Sequence, residues 1–431
     1  MTTLDRTTPP GVTELSGMKL PPLSRHTLPN GVRLAILDAG SQPVSRITVI
    51  HGGGKLDIDR PELYPVLTGT LSEGTQSMSG AAIAETLEYN GAWTSFNAGR
   101  HNCVSTLYGL NSRAQETIPV FADILTRPAL TPDATGTQCK KIAAATDLSR
   151  KKVSNAASEE INILAYGPEH PAARVLTGED FLSVSADDIR RLHTRAFLGT
   201  PPTIYLAGQI TDELLGLIEK CFGQTDYTAD DGIARRVIAP EYNPAGDRSL
   251  RLMPDSMQTA IRIAIPTLPR TAPDYENMRL ATIALGGYFG SRLMANIRED
   301  KGYTYGISAF PTPRLEGTFI NIECQTDNSH VNDVLRETET EIARLAETLM
   351  PDEEITGIRR LLLSSLASVL DSPFSMLDFH INLDALGVTG DSYTRQVEAA
   401  TAMTPAIIRE ATVKYLVDAP RLTALAGAPK D

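Results

Sequence analysis

Two helix-start signals recur along this chain at one fixed offset, and no other feature restricts its fold as strongly. Pro132-Asp133 opens a long helical stretch that runs to about Tyr166-Gly167, and Ser185 opens a second helix 53 residues later (185 − 132). Pro351-Asp352 opens a similar stretch ending near Leu386-Gly387, and Thr404 opens a helix 53 residues after it (404 − 351). Both landmarks are displaced by 219 positions (351 − 132 and 404 − 185). A Pro or a hydroxyl residue before an apolar-periodic run is a physical start signal, because it pre-sets the first turn or accepts a free amide there. The chain is therefore read as two copies of one unit. Residues 1–24 form an arm, 25–229 the first repeat, 230–247 a linker rich in Pro, Gly and charge, and 248–431 the second repeat. Within each half, strands, helices and a closing strand (202–208 and 421–427) follow one order. That order predicts an α+β fold in which a mixed sheet carries helices on one face.

Finer signals agree. Residues 25–37 read as a hairpin turned by Asn30-Gly31, and 45–51 as a core strand. Gly52, Gly53 and Gly54 then make a turn. No Lys-Ser/Thr follows at the spacing of a phosphate loop, so nucleotide binding is not expected. Helices are expected over 62–71, 80–89 and 114–126, with strands between 92 and 110.

The net charge is −12 and the sequence pI about 5.2, which argues against nucleic acid or an anionic membrane as partner, since both demand a basic face. The first residues lack the apolar core of a secretion signal, and no stretch approaches the roughly 18 apolar residues of a membrane span, so a cytoplasmic protein is expected. Cys103, Cys139, Cys221 and Cys324 stand far apart, without the paired spacing of a disulfide framework or a metal knuckle.

Residues 285–310, LGGYFGSRLMANIREDKGYTYGISAF, carry the chemistry. Gly286-Gly287 is expected to open a helix through Leu293, Met294 and Ile297 that ends near Asp300 at a Gly302 cap. Tyr303, Tyr305 and Ile307 then alternate as a strand does. Arg298 and Tyr305 would so sit on rigid elements a short distance apart. Taken alone, Arg298 could simply meet the free carbonyls of a helix end and Tyr305 be a half-buried strand aromatic. However, the spacing R-x-x-x-G-x-x-Y (Arg298, Gly302, Tyr305), preceded by Ser291, Arg292 and Leu293, resembles the carboxy-terminal half-motif of the pitrilysin/insulinase metallopeptidase family, which includes mitochondrial processing peptidase. The resemblance covers residues 25–428. It implies two similar α+β halves per subunit, and two subunits closing as a clamshell dimer around a peptide chamber. It further implies that Arg298 and Tyr305 contact the peptide substrate across that chamber from a zinc site.

The metal motif of that family, H-x-x-E-H, places two His on one helix face to bind zinc and a Glu to activate the bound water. Aligned from Gly74-Thr75, its positions here hold Pro65, Thr68 and Gly69, and the region of the distal ligand, 142–146, reads IAAAT. No zinc is therefore expected in this chain. His51 and His101 are read as polar positions at the rim of the sheet, and Glu159-Glu160 as a solvated helix face. No G-x-S-x-G turn supplies another nucleophile. Three functions remain. The first is a zinc-free subunit, inactive alone, that lends Arg298 and Tyr305 to a homologous partner bearing the inverted zinc motif, for peptide hydrolysis. The others are a structural or assembly subunit, and a homodimer that binds peptides without cutting them.

Overall fold

The computed structural model describes Thr7 and residues 17–430, so most of the expected arm lies outside the described residues. The first half contains strands β1 (Ser24–Thr27), β2 (Arg33–Asp38), β3 (Val44–Gly52), β4 (Trp93–Ala98), β5 (Asn102–Leu110) and β6 (Thr203–Gly208). Its helices are α1 (Leu63–Thr70), α2 (Gly80–Tyr89), α3 (Ala114–Thr126), α4 (Pro132–Arg150), α5 (Val153–Tyr166), α6 (Gly178–Leu182), α7 (Ala186–Phe197) and α8 (Asp212–Phe222). The second half has β7 (Asp247–Leu252), β8 (Gln258–Thr267), β9 (Thr304–Pro313), β10 (Thr318–Asp327) and β11 (Leu422–Gly427). Its helices are α9 (Tyr275–Gly286), α10 (Val331–Glu347), α11 (Asp352–Val369), α12 (Pro373–Ala385), α13 (Ser392–Ala402) and α14 (Pro405–Thr412).

The strand orders are β1-β2-β6-β3-β5-β4 and β7-β11-β8-β10-β9. With β1 set aside, the two sheets are the same object. The parallel pair β2/β6 answers β7/β11, and the remaining neighbours are antiparallel in both halves. The closing strands are buried almost throughout, which explains their continuous apolar runs, because a central strand covered on both faces cannot alternate with polar residues.

One face of each sheet meets its own helices. In the first half Leu34, Ile36, Ile47, Val49, Leu107, Ile204 and Leu206 pack with Leu67, Phe121, Ile189 and Ile218. In the second, Ile261, Ile263, Ile320, Ile322 and Leu425 pack with Leu285, Ile358 and Ile408.

The opposite faces are also covered, and by exchange. Helix α5 leaves the first half and lies on the second sheet, its Ala156 and Ala157 against Ala260 and Ala426, and its Ile161 and Ala165 beside Ala264, Leu422 and Ala424. Helix α12 makes the reciprocal crossing, placing Met376 and Leu377 on Ala35, Leu37, Tyr205 and Ala207. At the α5 crossing, alanines on both surfaces let helix and sheet approach closely, where dispersion contacts are densest. This crossing corrects the expected solvated face at Glu159-Glu160. Both carboxylates are mostly buried and pair with Arg251 of the second half. The repeat-equivalent position on α12, Asp378, holds Arg46 of the first half at 2.6 Å. The tail of the arm is held under α12 as well, where His380 Nε2 meets the Pro21 carbonyl at 2.8 Å.

Candidate functional site

Gly286-Gly287 closes helix α9 and does not open the next one. The chain needs glycine there because a Cβ at 286 would stand 2.6 Å from the Cβ and amide of Ala309 on β9. After a turn through Phe289, the chain is helical from Arg292 and widens into a π-helical turn over Met294–Asp300. Its signature is the bond from the Lys301 amide to the Asn296 carbonyl, 3.1 Å, across five residues. Asn296 is pinned from outside this turn. Its side-chain amide donates to Glu337 (3.1 Å) and Glu341 (2.5 Å), two buried carboxylates of α10, and Lys301 pairs with Glu337 at 3.3 Å. Gly302 ends the turn with φ +66°, the left-handed conformation expected of it.

Strand β9 departs from simple alternation at the residue that matters. Thr304 pairs with Thr326 and Ile307 with Cys324, so Tyr305 and Gly306 together oppose Gln325 alone. This is a β-bulge, a device that re-aims a side chain. Tyr305 has the parity of Ile307, yet Ile307 is 3% exposed in the core and Tyr305 is 93% exposed. The Thr304 hydroxyl holds the bulge, accepting the Gly306 amide at 3.0 Å and lying 2.7 Å from the Gln325 carbonyl, to which it donates. Arg298 stands between two rings, its guanidinium carbon 4.6 Å from the centre of Phe289 and 5.8 Å from that of Tyr305. Among the described residues neither the Arg298 guanidinium nor the Tyr305 hydroxyl makes a hydrogen bond or ion pair. The structure thus brings the two expected residues together. Phe289, which sequence reasoning missed, braces the guanidinium through its ring.

The positions aligned with the zinc motif lie on α1, which packs on α4. Pro65 has no donor atom to offer. Thr68 turns its hydroxyl back to the Tyr64 carbonyl at 3.1 Å, and Gln138 of α4 fills the space over Gly69, where its Oε1 would be 3.1 Å from an added Cβ. These residues do not fit a zinc ion: the three positions supply no imidazole and no carboxylate, and their one hydroxyl is committed to the backbone. Residues 142–146, aligned with the distal ligand, lie on the same α4. Among the described residues no group of three or more His, Cys, Asp or Glu is placed to hold a metal.

Residues 183–362, which include Arg298 and Tyr305, match the family described as the peptidase M16 inactive domain. An uncharacterised zinc protease of Bacillus subtilis (strain 168) is 21% identical over 360 residues, covering 82% of this chain and 86% of the relative. Among solved structures, a peptidase M16 inactive domain from Pseudomonas fluorescens superposes with a TM-score of 0.84 at 20% identity, over 95% of this chain and 98% of that one. A protease from Helicobacter pylori superposes with a TM-score of 0.85 at 11% identity, over 94% and 100%. The chain is related to the M16 peptidases. Its fold is theirs along nearly its whole length, as the resemblance read from residues 285–310 implies.

In this M16-related chain the two histidines expected at the rim are both buried. His51 packs 4.3 Å from the Phe197 ring; burial, and then the nearby His193, push its pKa down to about 3, so it is neutral. His101 is a bridge between the halves, with Nδ1 2.8 Å from Asp57 and Nε2 2.8 Å from Glu316. Burial opposes its charge, but the two carboxylates outweigh burial and hold its pKa up at about 9. Asp57 is itself fixed by the amides of Gly54 and Arg236, at 2.8 and 2.7 Å. The Gly52 to Gly54 turn serves this bridge: a Cβ at Gly54 would stand 2.5 Å from the Arg100–His101 backbone.

Proposed function

We propose that this chain is the zinc-free subunit of a two-protein peptidase, with the metal carried by a homologous partner that has the inverted zinc motif. One observation carries the reading: Arg298 and Tyr305 are presented together without internal partners, in a chain whose α1 cannot hold zinc. A π-turn and a β-bulge are local irregularities that cost regular hydrogen bonding, and both stand at this pair. In the proposed clamshell, the Tyr305 hydroxyl donates to the oxygen of the scissile carbonyl as negative charge develops on it. Arg298, already braced by two rings, holds a peptide carbonyl or carboxylate with its guanidinium fork. The peptide is held in a chamber between the subunits and cut only in the assembled pair.

The experiment is co-expression with a homologue carrying the intact motif, followed by co-purification, elemental analysis and a peptide-cleavage assay. The expected result is a dimer with zinc on the partner only, which cleaves peptides, while this chain alone holds no stoichiometric zinc and cleaves nothing. One tightly bound zinc per chain in the isolated protein, or a zinc-bearing homologue that cleaves peptides equally well without this chain, would overturn the reading.

A further inference from the structure

The cavity between α5 and the face of the second sheet that it covers has a volume of about 240 Å³ and is lined from both halves. Arg100 comes from the loop between β4 and β5, Asn162 and Tyr166 from α5, and Thr312, Arg314 and Asn321 from the β9–β10 hairpin. No carboxylate lines it, although the chain as a whole carries a net charge of −12. We infer that this cavity binds a carboxylate group of a peptide, either an acidic side chain or a free C-terminus. The inference rests on the peptide-handling reading above for the kind of ligand, and adds a second point of attachment to it.

The donors are set for that task. Arg100 is held by two contacts: its Nε donates to Glu316 at 3.2 Å and its guanidinium carbon stands 5.2 Å over the Tyr166 ring. Glu316 also meets His101, whose other nitrogen meets Asp57, so these two cations and two carboxylates balance, and the unbalanced positive charge at the cavity is that of Arg314. Arg314, on the hairpin turn, is exposed and forms no ion pair among the described residues. Asn321 Nδ2 donates to Thr312 Oγ1 at 2.7 Å, which leaves the Thr312 proton free to donate into the cavity. Guanidinium, amide and hydroxyl donors, with no acceptor of full charge, make a carboxylate receptor. Tyr305 and Thr312 are seven residues apart on β9, roughly 23 Å at strand rise, so an extended peptide of about seven residues could span both points.

The test uses the full purified chain and fluorescein-labelled neutral octapeptides read by anisotropy. One peptide ends in a free carboxylate, one is amidated, one is amidated with an internal Glu, and one is amidated with a phosphoserine. The expected result is that the free-acid or the Glu peptide, or both, bind at least tenfold more tightly than the neutral amide, and the stronger of the two names the source. Arg314→Gln and, separately, Asn162→Leu should each weaken that binding several-fold while melting as the parent does. Equal binding of the neutral amide, preference for the phosphopeptide alone, no binding of any peptide, or no effect of either variant would overturn the inference. Carboxylate-selective binding by a chain that forms no active pair would sink the two-protein peptidase and leave the cavity standing; an active pair without carboxylate preference would do the reverse.

Discussion

His101 of the first half and Glu316 of the second face each other at 2.8 Å, and with Asp57 they tie the two sheets through one buried imidazolium. The His101 pKa is about 9 in the fold against 6.5 for a free imidazole, so its stabilisation is complete below 6.5 and is lost as pH rises through 9. For Glu316 burial is offset by the His101 hydrogen bond and the Arg100 charge, which bring it to about 2 from 4.5. Its contribution is complete above 4.5 and lost as pH falls through 2. His101→Gln should cost about 3 to 5 kcal/mol near pH 6, because it leaves buried Asp57 without a cation and Glu316 with Arg100 alone. Thermal melts from pH 5 to 10 check this: the gap between parent and variant should be widest below pH 6.5 and narrow as pH rises from 6.5 through 9. A constant gap would mean that the bridge is not charged.

Thr304→Val should remove the hydroxyl that satisfies the bulge while keeping the shape of the side chain. Part-buried backbone groups at Gly306 and Gln325 would lose a partner, at a cost of about 0.5 to 1.5 kcal/mol. If the chain works in the proposed two-protein peptidase, cleavage should fall along with the aim of Tyr305, at unchanged dimer content. Denaturant melts and kinetics per complex separate the two effects.

In the proposed pair, Tyr305→Phe should lower kcat more than it raises KM, since the hydrogen bond to the oxyanion proposed for it would form mainly in the transition state. Loss of one such donor typically costs about 100-fold to 1,000-fold in rate. Arg298→Ala should weaken substrate binding as well, and Phe289→Ala should do so in part by releasing the guanidinium it braces. Steady-state kinetics normalised to intact complex by gel filtration decide the matter. Full kcat in Tyr305→Phe, or a lowered melting point with unchanged activity per complex, would assign the pair to scaffolding.

Ala157→Leu tests the exchanged helix. Ala157 is fully buried against Ala260 and Ala426, so a larger side chain must push α5 off the second sheet. Overpacking of this kind costs about 1 to 3 kcal/mol. The expected readout is a lower urea midpoint and a weakened link between the halves, seen as faster proteolysis of residues 223–246.

Much of this protein was determined locally and could be read from the chain. Ser185 and Thr404 cap their helices through their own hydroxyls, Asn30-Gly31 turns its hairpin, and Gly302 takes the left-handed conformation that its helix end requires. The 219-residue offset holds down to the closing strands, whose last residues are Gly208 and Gly427 (427 − 208). The juxtaposition of Arg298 and Tyr305 was legible for the same reason: both lie within one turn and one strand start, and short-range geometry brings them close.

Only the tertiary structure decided what depends on distant partners. Alternation would send Tyr305 to the core with Ile307; pairing with β10 decides otherwise, because one residue of that strand must oppose two. The π-turn beneath Arg298 depends on Glu337 and Glu341, whose periodicity on α10 says nothing of Asn296. His101 looks like a rim residue until Glu316 is brought to it from 215 positions away, and Glu159 and Glu160 look solvated until α5 crosses to the other sheet and meets Arg251. Sequence periodicity records which face of an element is apolar, but the element that comes to cover that face is chosen by packing across the whole chain, and so are the charges it buries.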